Sequence, residues 1–461
     1  MGNLPLNSDK DFLEGNGWVS KTGIKAEAIK AKWLFDSENG KVQNNRIIFV
    51  KSGKIDEIIE STEFNDDSEI LLDLSQYYVI PGLIDSHAHL SSVYDPFEPN
   101  AYISICAANS ATLTTHVIRN AQRCLRMGIT CIRDMPGFTN FINQEGIAVR
   151  EASIRDMLAL PRIIAYGWIE PTAGHMDLAL PANLRNDPTV YADSPYEVRR
   201  MVRRMVREGV DGFKSDVSGG LGGRMEETWW KKYTDEELLA LTDEAHGVGK
   251  RVAVHAYTDN SILQAIQCGV DTIEHGIYLT DKTADLMAER RIPLVPTLSV
   301  RSQGALKLAQ AAGAVSPHQL KKREQVLKDK NEYVLKAFKR GVIIATGTDA
   351  YFTLRGNFWG FNSEEINLLI NAGLKSKDAL RAATIGAAIA VGLNKEIGII
   401  KKGMFADLVA LKQSPLENPN ALTNPDNIVL VIKEGEVVAG SHDGLQDVLS
   451  QISKYKKEVI T

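Results

Sequence analysis

The feature that most constrains the fold is an alternation of short apolar runs with amphipathic helical stretches through the middle of the chain. Such alternation predicts βαβ units and a parallel sheet. Eight strand candidates can be placed, at residues 78–85, 129–134, 162–167, 212–217, 251–255, 272–275, 293–297 and 342–348. Eight strand-helix units favour a closed (β/α)8 barrel of the TIM type. A doubly wound open sheet is the alternative, but no Gly-x-Gly-x-x-Gly turn follows the first strand.

The two ends of the chain have a different pattern, of short alternating strands. Residues 46–50 and 54–59 flank a Ser-Gly turn, and residues 406–411 and 428–432 are apolar runs near the C-terminus. We expect the two ends to pair into one small β-sandwich domain. The predicted organisation assigns the N-terminal tail and the first part of this domain to 1–79, the catalytic barrel to 80–396, and the second part with a C-terminal helix to 397–461.

Composition excludes several classes of protein. A chain of 461 residues with 44% hydrophobic and 24% charged residues is typical of a soluble globular protein, and its length suits a barrel with one smaller domain. The net charge of −5 provides no basic patch for nucleic acid. The four cysteines contain no Cys-x-x-Cys pair, so neither a disulfide framework nor a cysteine zinc site is indicated.

No segment predicts export or membrane insertion. Residues 1–15 are polar and acidic where a signal peptide needs an apolar stretch. No apolar run approaches the ~18 residues of a transmembrane helix. We therefore expect a cytoplasmic protein, in a homo-oligomer, that acts on a small molecule without nucleic acid or membrane partners.

The sharpest local motif is the sequence Pro-Gly-Leu-Ile-Asp-Ser-His-Ala-His at the end of the first predicted strand, which contains His87 and His89. Alternation along a strand points both imidazoles to the same side. Imidazole is the commonest protein ligand for metals, so the pair predicts half of a metal site, with two ordinary core or surface histidines as the alternative.

Four further residues follow other predicted strands, namely Lys214, His255, His275 and Asp349. A lone histidine at a strand end is more often a satisfied polar residue than a ligand. In a barrel, however, the C-terminal strand ends converge on one face, so the joint pattern predicts a single active site.

This set of residues resembles the amidohydrolase superfamily, specifically its prolidase-like binuclear branch with a carboxylated lysine. The likeness extends from about residue 24 to residue 438. It includes His-x-His after strand one, Lys after strand four, His after strands five and six, and Asp after strand eight. Supporting stretches are Gly128-Ile129-Thr130, Ser218-Gly219-Gly220 and residues 403–409.

The resemblance implies two divalent metal ions, with zinc as the default and manganese or cobalt as alternatives. His87 and His89 would hold one ion with Asp349, and His255 and His275 the other. Lys214, as a carbamate formed with CO₂, would bridge the two. A hydroxide between the metals would attack the substrate carbonyl, and Asp349 would carry its proton to the leaving amine.

His175 lies in a segment similar to one that carries a substrate-contacting histidine in the family. The family usually has Gly-Gly-His-Gly where this chain has Ala-Gly-His-Met, so a structural loop role is the alternative. Arg355 is a weaker candidate, for binding a substrate carboxylate, and Trp229-Trp230 could line the pocket or pack on the rim. His116, His246, His318 and His442 have no apparent partners and are interpreted as surface or packing residues.

The leading functional hypothesis is hydrolysis of an amide bond, in a dipeptide or an N-acyl or aroyl amino acid. A hydrolase of aryl ureas, carbamates or thiocarbamates with the same metal site is the alternative. The two differ in whether the pocket offers a cation for a substrate carboxylate or an apolar wall. A deaminase fits less well because those relatives typically lack the lysine. A non-catalytic scaffold fits less well because all six ligand positions are retained.

Overall fold

The computed structural model describes residues 17–64, 71–92, 107–137, 141–179, 191–223, 226–311, 315–328, 331–350 and 360–460. The strands are β1 Gly17–Val19, β2 Ala28–Asp36, β3 Lys41–Lys51, β4 Lys54–Glu60, β5 Leu71–Asp73, β6 Tyr78–Pro81, β7 Leu83–Ala88, β8 Ile129–Asp134, β9 Arg162–Trp168, β10 Gly212–Asp216, β11 Arg251–Thr258, β12 Thr272–Tyr278, β13 Leu294–Val295, β14 Leu408–Leu411, β15 Ile428–Lys433 and β16 Glu436–Ser441.

The α-helices are α1 Ser110–Arg126, α2 Gln144–Ile154, α3 His175–Ala179, α4 Pro195–Glu208, α5 Asp235–Gly247, α6 Asp259–Gln267, α7 Asp281–Glu289, α8 Gln303–Ala311, α9 Pro317–Lys328, α10 Glu332–Lys339, α11 Glu364–Asn371, α12 Ser376–Arg381, α13 Ala387–Val391 and α14 His442–Ile460. A π-helical turn, Ala382–Gly386, joins α12 to α13. Among the described residues, no helix has both the length and the apolar character needed to cross a membrane.

The two chain ends form one β-sandwich domain, as predicted. Strands β1 to β6 and β14 to β16 lie in one nine-stranded sheet, in the order β1-β16-β15-β14-β6-β2-β3-β4 with β5 beside β2. Apolar side chains from both ends share a core that includes Ile29, Ile48, Leu408 and Ile432. The predicted Ser-Gly turn joins β3 to β4, and Ser52 and Gly53 both have the positive φ of a tight hairpin.

The seven strands β7 to β13 run parallel in sequence order and form most of a barrel. The predicted eighth strand, 342–348, is an irregular segment that closes it. Ala345 N donates to Leu294 O at 2.9 Å on one side, and Ser86 N donates to Thr346 O at 2.9 Å on the other. The architecture is therefore the predicted TIM-like barrel with a β-sandwich.

Two predicted strands differ from the observed ones for local reasons. The run 293–297 shortens to β13 because Pro296 has no N–H to donate and Thr297 adopts a left-handed φ of 49°. The run 78–85 divides in two, with β6 in the sandwich sheet and β7 in the barrel.

Gly82 is the junction between the two domains at this division. Its N–H donates to Asp407 O at 2.8 Å, which ties it to the sandwich, while Leu83 N donates to Gly128 O in the barrel. A Cβ at position 82 would lie 2.1 Å from the Thr130 Oγ1 atom and 2.7 Å from its Cγ2 atom. Only glycine lets the chain pass this close to β8.

Replacing this glycine should therefore destabilise the fold. We expect Gly82→Ala to lower the free energy of unfolding by about 1–3 kcal/mol through overpacking. Thr130→Ala removes the two atoms that would be struck first, so the double variant should lose less stability than the sum of the single variants. Urea unfolding of the four proteins measures this. Strictly additive losses would contradict the contact.

Candidate metal centre

All six predicted ligand residues lie at the C-terminal mouth of the barrel. The parallel register places them side by side, with Lys214 beside Trp168 and Ala253, Asp216 beside His255, and Ala256 beside His275. The side chains of His87, Lys214, His255 and His275 are almost completely buried. Convergence at this face is the geometry expected for a barrel active site.

His87, His89 and Asp349 form a cluster with metal-ligand geometry. One ligand atom from each residue lies within 4.8 Å of the others. His89 Nε2 is 3.1 Å from Asp349 Oδ1, and His87 Nε2 is 3.5 Å from the same oxygen. Burial alone would raise the pKa of Asp349, but the hydrogen bond with His89 and the charges of His87, His89 and Lys214 hold it at about 2. These three residues can hold one divalent cation.

Glu274 fixes the orientation of the His87 ring through the nitrogen that does not face the cluster. Its Oε2 atom is 2.6 Å from His87 Nδ1, while its Oε1 atom accepts hydrogen bonds from Arg133 Nη2 at 2.8 Å and Thr272 Oγ1 at 2.5 Å. Burial acts to raise the pKa of Glu274, but the charges of Arg133 and His87 hold it at about 2. Because Glu274 is ionised and engages Nδ1, the Nε2 atom of His87 is left to face the cluster.

His255 and His275 lie together beside this cluster. Their ring centroids are 4.5 Å apart, and the His275 ring is 5.7 Å from that of His87. His275 Nδ1 is 2.7 Å from Thr297 Oγ1. Burial, followed by neighbouring positive charges, places the pKa of both imidazoles well below the usual value. Both rings are therefore neutral at neutral pH, which is the form that binds a cation.

Three residues of this region have a left-handed backbone. His275, Thr297 and Asp349 have φ values of 72°, 49° and 53°, a conformation that is uncommon outside glycine and least favourable for the β-branched Thr297. Each such residue costs roughly 1–3 kcal/mol and typically occurs where function requires it. The barrel therefore holds these side chains in positions that local backbone preference disfavours.

Lys214 lies on the wall between the two histidine groups. Its Nζ atom is 3.1 Å from Asp216 Oδ1 and 4.4 Å from the centre of the Trp168 ring. Asp216 Oδ2 accepts from Trp168 Nε1 at 3.0 Å, and Asp216 Oδ1 is 4.0 Å from His255 Nδ1. The Lys214 ammonium and the Asp216 carboxylate therefore form a buried ion pair at the mouth of the barrel.

His175 lies at the edge of the same group. Its ring stacks on that of His255 with 4.9 Å between centroids, and its Nδ1 atom has a short hydrogen bond with the buried Glu226. Burial acts to lower the pKa of His175, but the charge of Glu226 raises it above the usual value. Lys232 Nζ is 3.2 Å from Glu226 Oε2 and holds that carboxylate in place.

The Ser218-Gly219-Gly220 stretch has a packing role under this histidine. A Cβ at Gly220 would lie 2.3 Å from the His175 ring. Lys322, on α9, donates to the carbonyl oxygens of Gly220, Gly223 and Glu226 at 2.8–2.9 Å. One ammonium group therefore holds the loop that carries Glu226.

The remaining candidates lie elsewhere. His246 is 2.9 Å from Asp271, His318 is 3.5 Å from Glu227, His116 is half-buried on α1 and His442 begins α14. Trp229 is 68% exposed, which favours neither packing nor an enclosed pocket. Arg355 lies outside the described residues.

Sequence reasoning missed the carboxylates that support the histidines. Glu274 and Asp216 occupy barrel strands, where a buried acid is unusual, and that signal could have identified them. Glu226 lies in a connecting segment, where neither spacing nor periodicity singles it out.

The chain is similar in sequence and in fold to several known proteins. An ochratoxinase from Aspergillus niger is 29% identical over 381 residues, covering 78% of this chain and 76% of the relative. The structure of a Xaa-Pro dipeptidase with methionine bound in its active site superposes with a TM-score of 0.79 at 29% identity, covering 90% of this chain and 99% of the other. Phenylurea hydrolase B superposes with a TM-score of 0.71 at 19% identity, covering 89% and 96%, which shows a shared fold.

The sequence profile of the amidohydrolase family matches residues 78–438, which include every strand of the barrel and all six predicted ligands. Together with the similarity to the dipeptidase and the ochratoxinase, this match identifies a hydrolase that acts on C–N bonds. The chain belongs to the amidohydrolase family and is a prolidase-like member of it.

Proposed function

We propose that this chain hydrolyses an amide bond whose amine side is an amino acid, in a dipeptide or an N-acyl amino acid, at a centre of two divalent metal ions. The observation that carries the proposal is the ligand cluster of His87, His89 and Asp349, within 4.8 Å, with two neutral histidines beside it. The donor set is nitrogen and carboxylate oxygen, for which zinc is the first choice.

The residues fit two ions in the following way. His87, His89 and Asp349 would hold the more buried ion, and His255 and His275 the second. When bound, the ions would make water a hydroxide near neutral pH and polarise the substrate carbonyl. Four neutral histidines do not balance the positive charge of two divalent ions. The centre therefore also needs anionic ligands, and Asp349 supplies one of them.

Lys214 would supply the second anionic ligand as a carbamate. An ammonium group cannot bind a cation, so Lys214 must first lose a proton and leave Asp216. Its neutral nitrogen then attacks the carbon of CO₂, a C–N bond forms and a proton is released.

Two side chains would handle protons and charge on the substrate. Asp349 is ionised and can accept a proton from the attacking water and deliver it to the leaving nitrogen. Amide nitrogen is a poor leaving group, so this delivery is essential. His175, with its pKa raised by Glu226, can donate a hydrogen bond to the carbonyl oxygen or to a substrate carboxylate.

The similarity to the Xaa-Pro dipeptidase supports the amino-acid amide over the urea. That relative is similar in sequence as well as in fold, and its active site contains a free amino acid. The phenylurea hydrolase shares the fold alone. The aryl urea, carbamate and thiocarbamate alternative therefore remains the second candidate.

A substrate panel tests the proposal. We expect N-benzoyl-phenylalanine and simple dipeptides to be hydrolysed with kcat/KM at least about 100-fold above that of a phenylurea of matched size. A site that binds a substrate carboxylate discriminates strongly against a compound without one, because its own polar groups are then left unpaired. Release of the free amino acid, followed by chromatography, measures this. Faster cleavage of the phenylurea would instead favour the second candidate.

The contact between Glu274 and His87 leads to a separate prediction about metal affinity. We expect Glu274→Gln to weaken zinc binding about 10- to 100-fold, because the amide no longer holds His87 with a full negative charge. Competition with a chromophoric chelator measures the affinity. The exposed Glu332→Gln is the matched control and should bind as the wild type does. Equal affinities in all three proteins would show that His87 needs no such support.

A further inference from the structure

Arg301 is a buried cation that forms no ion pair with any residue that the structure describes. It follows β13 and is only 7% exposed. Its Nε atom donates to Thr297 O at 3.3 Å and its Nη2 atom to the Tyr333 hydroxyl at 2.9 Å, and both acceptors are uncharged. The Nη1 atom is buried without a hydrogen-bond partner.

Glu365 interacts with this charge electrostatically but makes no direct ion pair with it. Its carboxylate accepts from Leu298 N, Ser299 N and Ser299 Oγ, at 2.6–2.8 Å. Within the described part of the chain, no carboxylate lies at ion-pair distance from the guanidinium. A direct ion pair with a bound anion would therefore stabilise this buried arginine further.

Arg301 is also close to the candidate metal centre. Thr297 links them directly, since its carbonyl accepts from Arg301 while its hydroxyl is 2.7 Å from His275 Nδ1. Leu221 lines a small cavity with Arg301 and belongs to the same buried apolar cluster as Tyr257. The Tyr257 ring is 5.1 Å from that of His275.

We propose that Arg301 is the specificity-determining cation of this site and that its free Nη1 edge binds the α-carboxylate of the substrate. This inference rests on the proposed function, and it predicts that the substrates of the enzyme share an α-carboxylate. Guanidinium pairs with carboxylate in a planar, charge-assisted geometry, which ammonium cannot reproduce. A neutral urea or carbamate has no group that would satisfy the buried charge.

Kinetics on a substrate with a free carboxylate and on its uncharged carboxamide test the assignment of Arg301. The substrates are N-benzoyl-phenylalanine and its carboxamide, and the variants are Arg301→Gln and Arg301→Lys. The control is Arg340→Gln, at an arginine on the outer face that pairs with Asp281 and Asp285. Metal content is measured for each protein, so that loss of the metal centre is recognised.

We expect Arg301→Gln to lower kcat/KM for the acid about 10- to 100-fold while the value for the carboxamide changes little, so the preference for the acid collapses. Arg301→Lys should retain an intermediate preference, and the control should retain all of it. An equal loss on both substrates, or a wild type that does not prefer the acid, would overturn the assignment.

A binding measurement distinguishes failure of the inference about Arg301 from failure of the proposed function. If the wild type cleaves neither compound, the proposed function is wrong, and calorimetry with N-acetyl-phenylalanine and its carboxamide then tests Arg301 alone. If Arg301→Gln does not fold, Arg301→Lys takes its place in the titration, with His175→Ala as the comparison at the other candidate donor. Tighter binding of the acid that is lost in the Arg301 variant supports the assignment, and a preference that the Arg301 variant retains in full overturns it.

Discussion

The closure of the barrel between β7 and the irregular segment at 342–350 is the constraint on which the site depends. Asp349 N donates to His87 O at 2.7 Å, and His89 N donates to Ala350 O at 2.9 Å. These two bonds set the positions of three ligand side chains at once. The left-handed φ of Asp349 then turns its carboxylate toward both imidazoles. A barrel left open at this seam would separate the ligands that the proposed chemistry needs to be together.

Behind the mouth of the barrel, buried carboxylates determine what each basic group can do. Glu274 engages the outer nitrogen of His87, Glu226 raises the pKa of His175, and Asp216 pairs with Lys214. His255 and His275, which have no carboxylate at hydrogen-bond distance among the described residues, are the ones whose pKa burial lowers most clearly. One fold thus provides imidazoles of lowered pKa for coordination and one imidazole of raised pKa for hydrogen bonding.

The sequence predicted the barrel, the sandwich and the residues that converge, because strand periodicity and strand-end placement are local properties that a barrel brings together. It did not predict where the first strand divides or how Asp349 is turned, since Gly82 is fixed by its contact with β8 and Asp349 by its hydrogen bond with β7, which no local pattern encodes. It also missed Arg301. That residue follows a strand of only two regular residues, Leu294–Val295, and no spacing or periodicity in the sequence distinguishes it from an ordinary surface arginine.

The most direct test of the account is a crystal structure of the zinc-loaded enzyme grown with bicarbonate, with anomalous scattering used to count the metals. We expect two well-occupied ions, one bound by His87, His89 and Asp349 and the other by His255 and His275. We also expect additional electron density on the Lys214 nitrogen, from a carboxylate group that bridges the two ions. A single ion, or two ions with an unmodified Lys214 still paired with Asp216, would contradict it.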